Sequence, residues 1–147
     1  MMPQGAVIAR TKATLVERFV GAFIDGIIPL PVYFGIGFLT LPMPMVGMAI
    51  IGVIGAAWWL LRDAKGFSIG KKVMSLEVIS KSGAPATEDQ LMKRNWTLAG
   101  GAACNIIPIV GGMISGAVNL IECILLLAKG ERYGDEMAGT MVVKKIG

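Results

Sequence analysis

Arg18-Phe-Val-Gly-Ala-Phe-Ile-Asp25-Gly-Ile-Ile-Pro29-Leu-Pro31-Val-Tyr-Phe-Gly-Ile-Gly-Phe-Leu-Thr40 is the stretch that decides the fold class. It is apolar apart from one acid. At about 1.5 Å per residue a helix of this length crosses the ~30 Å hydrocarbon core of a bilayer. A carboxylate inside such a helix costs about 2.5–3.5 kcal/mol at the bilayer centre on insertion scales, so Asp25 is expected to face protein or water and not lipid.

Working outward, Leu41-Pro42-Met43-Pro44 reads as an uncharged turn and Met45 to Leu61 as a second spanning helix, closed by Arg62 and Asp63. The short connection predicts an antiparallel hairpin. Basic residues before the first helix and after the second put both ends in the cytoplasm. The segment 62–87 is polar. Within it Leu76-Glu77-Val78-Ile79 is rich in strand formers, Ser82-Gly83 reads as a turn, and Thr87-Glu88-Asp89-Gln90 matches a capping box, so a helix is expected to begin near Glu88.

From Leu98 to Ala128 the chain is again apolar, except for Asn105, Asn119 and Glu122. That length is awkward for one span and short for two. Lys93 and Arg94 before it, and Lys129 and Arg132 after it, favour a second hairpin over 88–107 and 109–128 with a turn at Pro108. One tilted helix, giving three spans and an external C-terminus, is the alternative. The tail, 129–147, carries a second strand candidate, Thr140 to Lys144, able to pair with Leu76 to Ser80 if both face one compartment. The fold class is therefore all-α membrane: a polytopic helical bundle of four helices as two hairpins, with a small cytoplasmic two-stranded element.

Composition agrees. Of 147 residues 54% are apolar and 16% charged, against roughly 25% charged in soluble domains. Twenty glycines suit close helix packing in lipid. The net charge of +4 comes from Lys and Arg at the ends of apolar stretches, with no basic stripe interleaved with aromatics, so nucleic acid is not an expected partner. Histidine is absent, and Cys104 and Cys123 have no zinc spacing. They read as free buried thiols, with a disulfide left open. No nucleophile–base pair stands out, so neither an enzyme nor a cofactor is expected. The N-terminal apolar segment is too long for a cleaved signal and contains Asp25.

Several stretches together resemble one family. Glu17-Arg18-Phe-Val-Gly-Ala-Phe-Ile-Asp25 is similar to the opening Arg…Asp motif of the RDD family of bacterial membrane proteins. Gly66-Phe-Ser68-Ile-Gly70-Lys71-Lys72 with Leu76-Glu-Val78 resembles its GxTxGK…LxV segment, and Lys93-Arg94-Asn95 its LxRN motif. Gly134-Asp135-Glu-Met-Ala-Gly-Thr140-Met-Val-Val143 resembles its closing D…AGTxVV motif. The resemblance runs from Glu17 to Val143. It implies that Arg18, Asp25 and Asp135 are the arginine and two aspartates for which the family is named. Two positions depart from the pattern: Gly134 stands where a histidine or similar residue is usual, and Ser68 replaces threonine. The resemblance implies a membrane protein with a suggested transport role, and one member is described as a sodium/proton antiporter.

The residues themselves suggest chemistry. Arg18 and Asp25, seven apart, share a helix face about 10 Å apart along the axis, too far for direct pairing. Some third group is expected between them. Pro29 and Pro31 lack N–H groups, which leaves the carbonyls of Asp25 and Ile27 without their helical donors. A carboxylate beside freed carbonyls is the kind of site with which broken transporter helices hold small cations. Glu122 lies seven residues before Lys129, which places it at a depth similar to Asp25, with Asn119 one turn away. A cluster of Asp25, Glu122 and Asn119, with Asn105 in reach, would let a bound monovalent cation displace a shared proton. The plainer reading makes Glu122 a structural partner of Arg18 or Arg62, and lets water or hydroxyls satisfy the carbonyls. Asp135 is expected to dock the tail onto Arg18, whose guanidinium can hold a carboxylate bidentately. Lys71 and Lys72 read as contacts to lipid headgroups, Ala22/Gly26, Gly52/Ala56 and Gly112/Gly116 as packing seams, and Trp58, Trp59 and Trp96 as interface anchors.

The expectation is an integral protein of the bacterial inner membrane, multi-pass with a cytoplasmic N-terminus, that performs monovalent cation/proton antiport as a homodimer in the lipid bilayer, the second subunit completing a pathway that four helices are few to enclose. The alternative is a non-transporting membrane scaffold or assembly factor whose buried charges are structural.

Overall fold

A computed structural model describes residues 9–107 and 109–146. The expected turn residue Pro108 lies outside the described residues. Thr14 opens the first helix through a capping box: its hydroxyl accepts from the Glu17 amide while the Glu17 carboxylate accepts from the Thr14 amide, satisfying two donors at the helix end. This helix, α1 (Leu15–Ile27), starts three residues before the expected span and stops short of Pro29. The chain resumes as α2 (Leu30–Leu39), with proline in its first turn. The single helix expected over 18–40 is thus two, divided where proline withholds a donor.

The remaining helices are α3 (Pro44–Ala64), α4 (Ile69–Val73), α5 (Glu88–Cys104), α6 (Val110–Lys129) and α7 (Tyr133–Ala138). Thr87 and Gln90 form the box that opens α5, and α5 stops at Cys104, short of the expected 107. Gly130, at φ +72°, ends α6 in the left-handed conformation that closes helices. Neither α4 nor α7 was apparent in the sequence. Three stretches, Leu15–Leu39, Pro44–Val73 and Val110–Lys129, are long and apolar enough to cross a membrane. Helix α5 packs against both α3 and α6.

The expected two-stranded element is a three-stranded sheet in the order β1-β3-β2, built from β1 (Ala9–Lys12), β2 (Leu76–Ser80) and β3 (Thr140–Ile146). Strand β3 pairs antiparallel with both neighbours, Leu76 facing Lys144 and Lys12 facing Val143. The added strand, β1, has only four residues of mixed polarity, so its local signal is weak; β3 supplies its partner groups. The three strands precede α1, lie between α4 and α5, and follow α7. The sheet therefore gathers the start of α1, the end of α3, the start of α5 and the end of α6 at one end of the bundle.

Burial is inverted relative to a water-soluble protein. Leu76 of β2 and Val142 of β3, on one face of the sheet, form a small apolar cluster with Ala13. The largest fully buried side chains among the described residues are Arg62, Arg94, Asn95, Thr140, Asp25 and Asp135, all polar. Phe34, Phe38, Leu39, Met113 and Leu127 lie on the outside. Such a surface is stable only in an apolar solvent. Of the small-residue seams, Gly52 meets Ala102 of α5 and Ile106 just beyond its end, whereas Gly26 and Gly116 have nothing within 4 Å.

Candidate functional site

The buried charges form a continuous ladder at the sheet end of the bundle. Asp25, fully buried on α1, receives four partners from the last turn of α3 and the segment that follows it. The Ser68 hydroxyl donates at 2.5 Å, the Gly70 amide at 2.8 Å and Arg62 Nη1 at 3.3 Å, with Lys71 Nζ at 4.0 Å. The carboxylate thus binds the start of α4, whose first amides have no helical acceptors. Close approach makes this possible: a Cβ on Gly70 would lie 1.9 Å from the Gly21 carbonyl oxygen of α1.

Asp63, at the last turn of α3, is the next rung. Its Oδ1 accepts from Lys71 at 2.5 Å, and its Oδ2 accepts from Asn95 at 2.8 Å and Arg94 at 3.3 Å. Arg62 Nε lies 3.8 Å from it, and the Arg62 guanidinium stacks 4.2 Å over the Trp59 ring. Arg94 then reaches Asp135 through Nε at 2.8 Å and Nη2 at 2.7 Å. Asp135 is also paired with Arg18, which donates to the Gly130 carbonyl at 2.5 Å. The third group expected between Arg18 and Asp25 is this run of Asp135, Arg94, Asp63 and the Arg62–Lys71 pair.

Burial alone would raise the Asp135 carboxyl, but Arg94, Arg132 and Arg18 outweigh it and hold it at about 2. Gly134, the departure from the family pattern, has a structural reason: a Cβ there would lie 1.9 Å from the Arg94 carbonyl oxygen. Only glycine lets α7 come close enough to α5 for Asp135 to reach Arg94.

The cluster of Asp25, Glu122 and Asn119 is not assembled in this structure. Neither Glu122 nor Asn119 is among the polar partners of Asp25. Asp25 is met by N–H and O–H donors, whereas a hard cation takes oxygen ligands. Pro29 is buried and Pro31 exposed; both serve the break between α1 and α2. Glu122 is buried but pairs with neither Arg18 nor Arg62. One oxygen accepts from the Thr97 hydroxyl at 2.7 Å, and Oε2 has no partner among the described residues. Asn119 is exposed and donates to its own helix at Ser115, and Asn105 caps α5. Lys71 points inward and not to headgroups, while Lys72 is exposed.

Asp63, Arg62, Arg94, Asn95, Lys71 and Ser68 were missed as site residues. The available signal was motif position: Ser68, Gly70 and Lys71 lie in the GxTxGK-like segment, and Arg94 and Asn95 in the LxRN-like one. In space these motifs are the receptacles for the two family aspartates.

No curated protein and no solved structure shows significant similarity to the chain. The RDD family model matches residues 12–139, a span holding Arg18, Asp25 and Asp135 together with every donor that meets the two aspartates, and the chain belongs to the RDD family.

Proposed function

We propose that the protein is a multi-pass transporter of the bacterial cell membrane that exchanges a monovalent cation for protons, with Glu122 and not Asp25 as the exchanging carboxylate. One observation supports this: Glu122 is buried in an apolar helix with Oε2 unpartnered. A carboxylate oxygen in an apolar helix without a protein donor is satisfied by water, a proton or a cation. It lines a cavity of about 210 Å³ shared with Asn119 and Arg132, spacious enough for water. Asp25 is structural in this reading, because its donors leave a cation no oxygen shell.

In the same reading α5 is the fourth membrane helix. The sheet faces the cytoplasm, since Arg18, Arg62, Arg94 and Arg132 gather at that end. A homodimer completes the pathway. A non-transporting scaffold is the second reading, and the observation that favours it is the ladder itself, whose aspartates are all satisfied within the fold.

Proteoliposomes carrying a pH dye separate the two. External sodium or lithium should raise internal pH with the wild type and not with Glu122→Gln. A folded wild type that gives no response to sodium, lithium or potassium leaves the scaffold reading. A full response from Glu122→Gln removes Glu122 from the mechanism.

A further inference from the structure

A cavity of about 40 Å³ lies beside the ladder, lined by Arg18, Arg62, Lys71, Arg94 and Arg132. The four arginines, which stay charged, face three ladder carboxylates, Asp25, Asp63 and Asp135, so at least one positive charge is unmatched within the ladder; Glu122 binds Thr97 instead. Buried charge without a counter-charge is costly, by several kcal/mol per ion. Two of the five have spare donors. Arg62 is 1% exposed, and its Nε has no hydrogen-bond partner among the described residues. Arg132 has only long contacts, 3.4 Å to Asn95 and 3.8 Å to Asp135. The space holds a few waters or one small tetrahedral oxyanion, and guanidinium forks match oxyanion geometry.

A second feature adjoins it. Between α1 and α6 runs a crevice of about 290 Å³ lined only by Leu15, Val16, Phe19, Cys123, Leu126 and Leu127. A cationic cavity next to an apolar slot, with Leu126 on the wall of both, at the end of a membrane helix matches one occupant: a charged head followed by a hydrocarbon chain.

We propose that the arginine cavity binds the phosphate of an anionic phospholipid, with an acyl chain in the crevice between α1 and α6. The lipid supplies the missing negative charge and fills the gap that α1 and α6 leave between them. This site requires only that the protein be membrane-embedded and holds whether or not it transports an ion.

The test uses the full chain purified in detergent and stripped of lipid. Phosphatidylglycerol, phosphatidylcholine or inorganic phosphate is added, and retained adducts are read by native mass spectrometry alongside thermal unfolding. One phosphatidylglycerol per chain should be retained, in preference to phosphatidylcholine, whose ammonium the arginines repel. Arg132→Gln should lower its occupancy about ten-fold, as loss of one charge-assisted contact implies. Cys123→Trp fills the crevice without touching the ladder. It should also lose the lipid while unfolding at the wild-type temperature in lipid-free detergent, which keeps the test valid if Arg132→Gln does not fold. Equal lipid retention by wild type and Cys123→Trp overturns the proposal. So does stabilisation by inorganic phosphate with no retained lipid, which would make the cavity a site for the free ion. Absence of any effect from all three additives overturns the anion site itself.

Discussion

Asp63→Asn is the substitution that bears most directly on the ladder. Both carboxylate oxygens are occupied, Oδ1 by Lys71 at 2.5 Å and Oδ2 by Asn95 at 2.8 Å and Arg94 at 3.3 Å. An asparagine keeps the shape but only one accepting oxygen. Its NH₂ must therefore face either Lys71 or the Arg94–Asn95 pair, donor against donor. It also removes the charge that balances cations on three sides. Breaking a buried ion pair from one side costs about 3–5 kcal/mol, a large part of the roughly 5–15 kcal/mol that holds a domain folded. The comparison is Asp89→Asn, which breaks an exposed pair with Lys93 on the surface of α5 and should cost about 0.5 kcal/mol or less. Unfolding in mixed micelles, followed by tryptophan fluorescence, measures both; Trp59, stacked on Arg62, reports on the site. Adding Lys71→Met to Asp63→Asn should return about 1–3 kcal/mol, because the orphaned ammonium is removed with its partner. An Asp63→Asn protein as stable as Asp89→Asn, or strictly additive effects in the double variant, would refute the ladder as a structural unit.

Two further outcomes follow from the same geometry. Asp135 lies at about 2 when folded, below its ordinary 3.8. Its ion pairs therefore contribute fully above about pH 4, and their contribution is lost as pH falls from there through 2. The loss amounts to about 2 kcal/mol. The stability gap between wild type and Asp135→Asn should narrow by that much between pH 5 and pH 2, and a constant gap would contradict the assignment. Gly134→Ala should destabilise by about 1–3 kcal/mol, because its Cβ meets the Arg94 backbone. Gly100→Ala, with nothing within 4 Å, should be neutral or slightly stabilising; equal effects would exclude close packing of α7 on α5 as the reason for Gly134.

Part of the site was legible in the sequence. Asp25 declares itself, because a carboxylate in an apolar run has to be turned away from lipid, and it is fully buried. The docking of Asp135 onto Arg18 was also readable from the chemistry of the two groups. What Asp25 binds was not. A carboxylate accepts a guanidinium, a hydroxyl or an amide as readily as it ligates a cation, and its three hydrogen-bond donors lie 37, 43 and 45 residues away. Lys71 and Lys72 look alike as neighbours in a polar segment. The short helix α4 turns the first toward Asp63 and leaves the second outside.

The sequence by itself determined the solvent. Apolar runs and the capping residues Thr14 and Thr87 act locally, within a turn or along one helix, so length and hydropathy suffice to read them. Only the tertiary structure decided which charge meets which. Arg18 and Asp135 are 117 residues apart and Arg94 and Asp135 are 41 apart, and no periodicity links such positions. In a low-dielectric interior those non-local pairings decide the energy. They make Asp25 the anchor of α4, and they leave buried Glu122 with an oxygen that no described donor meets.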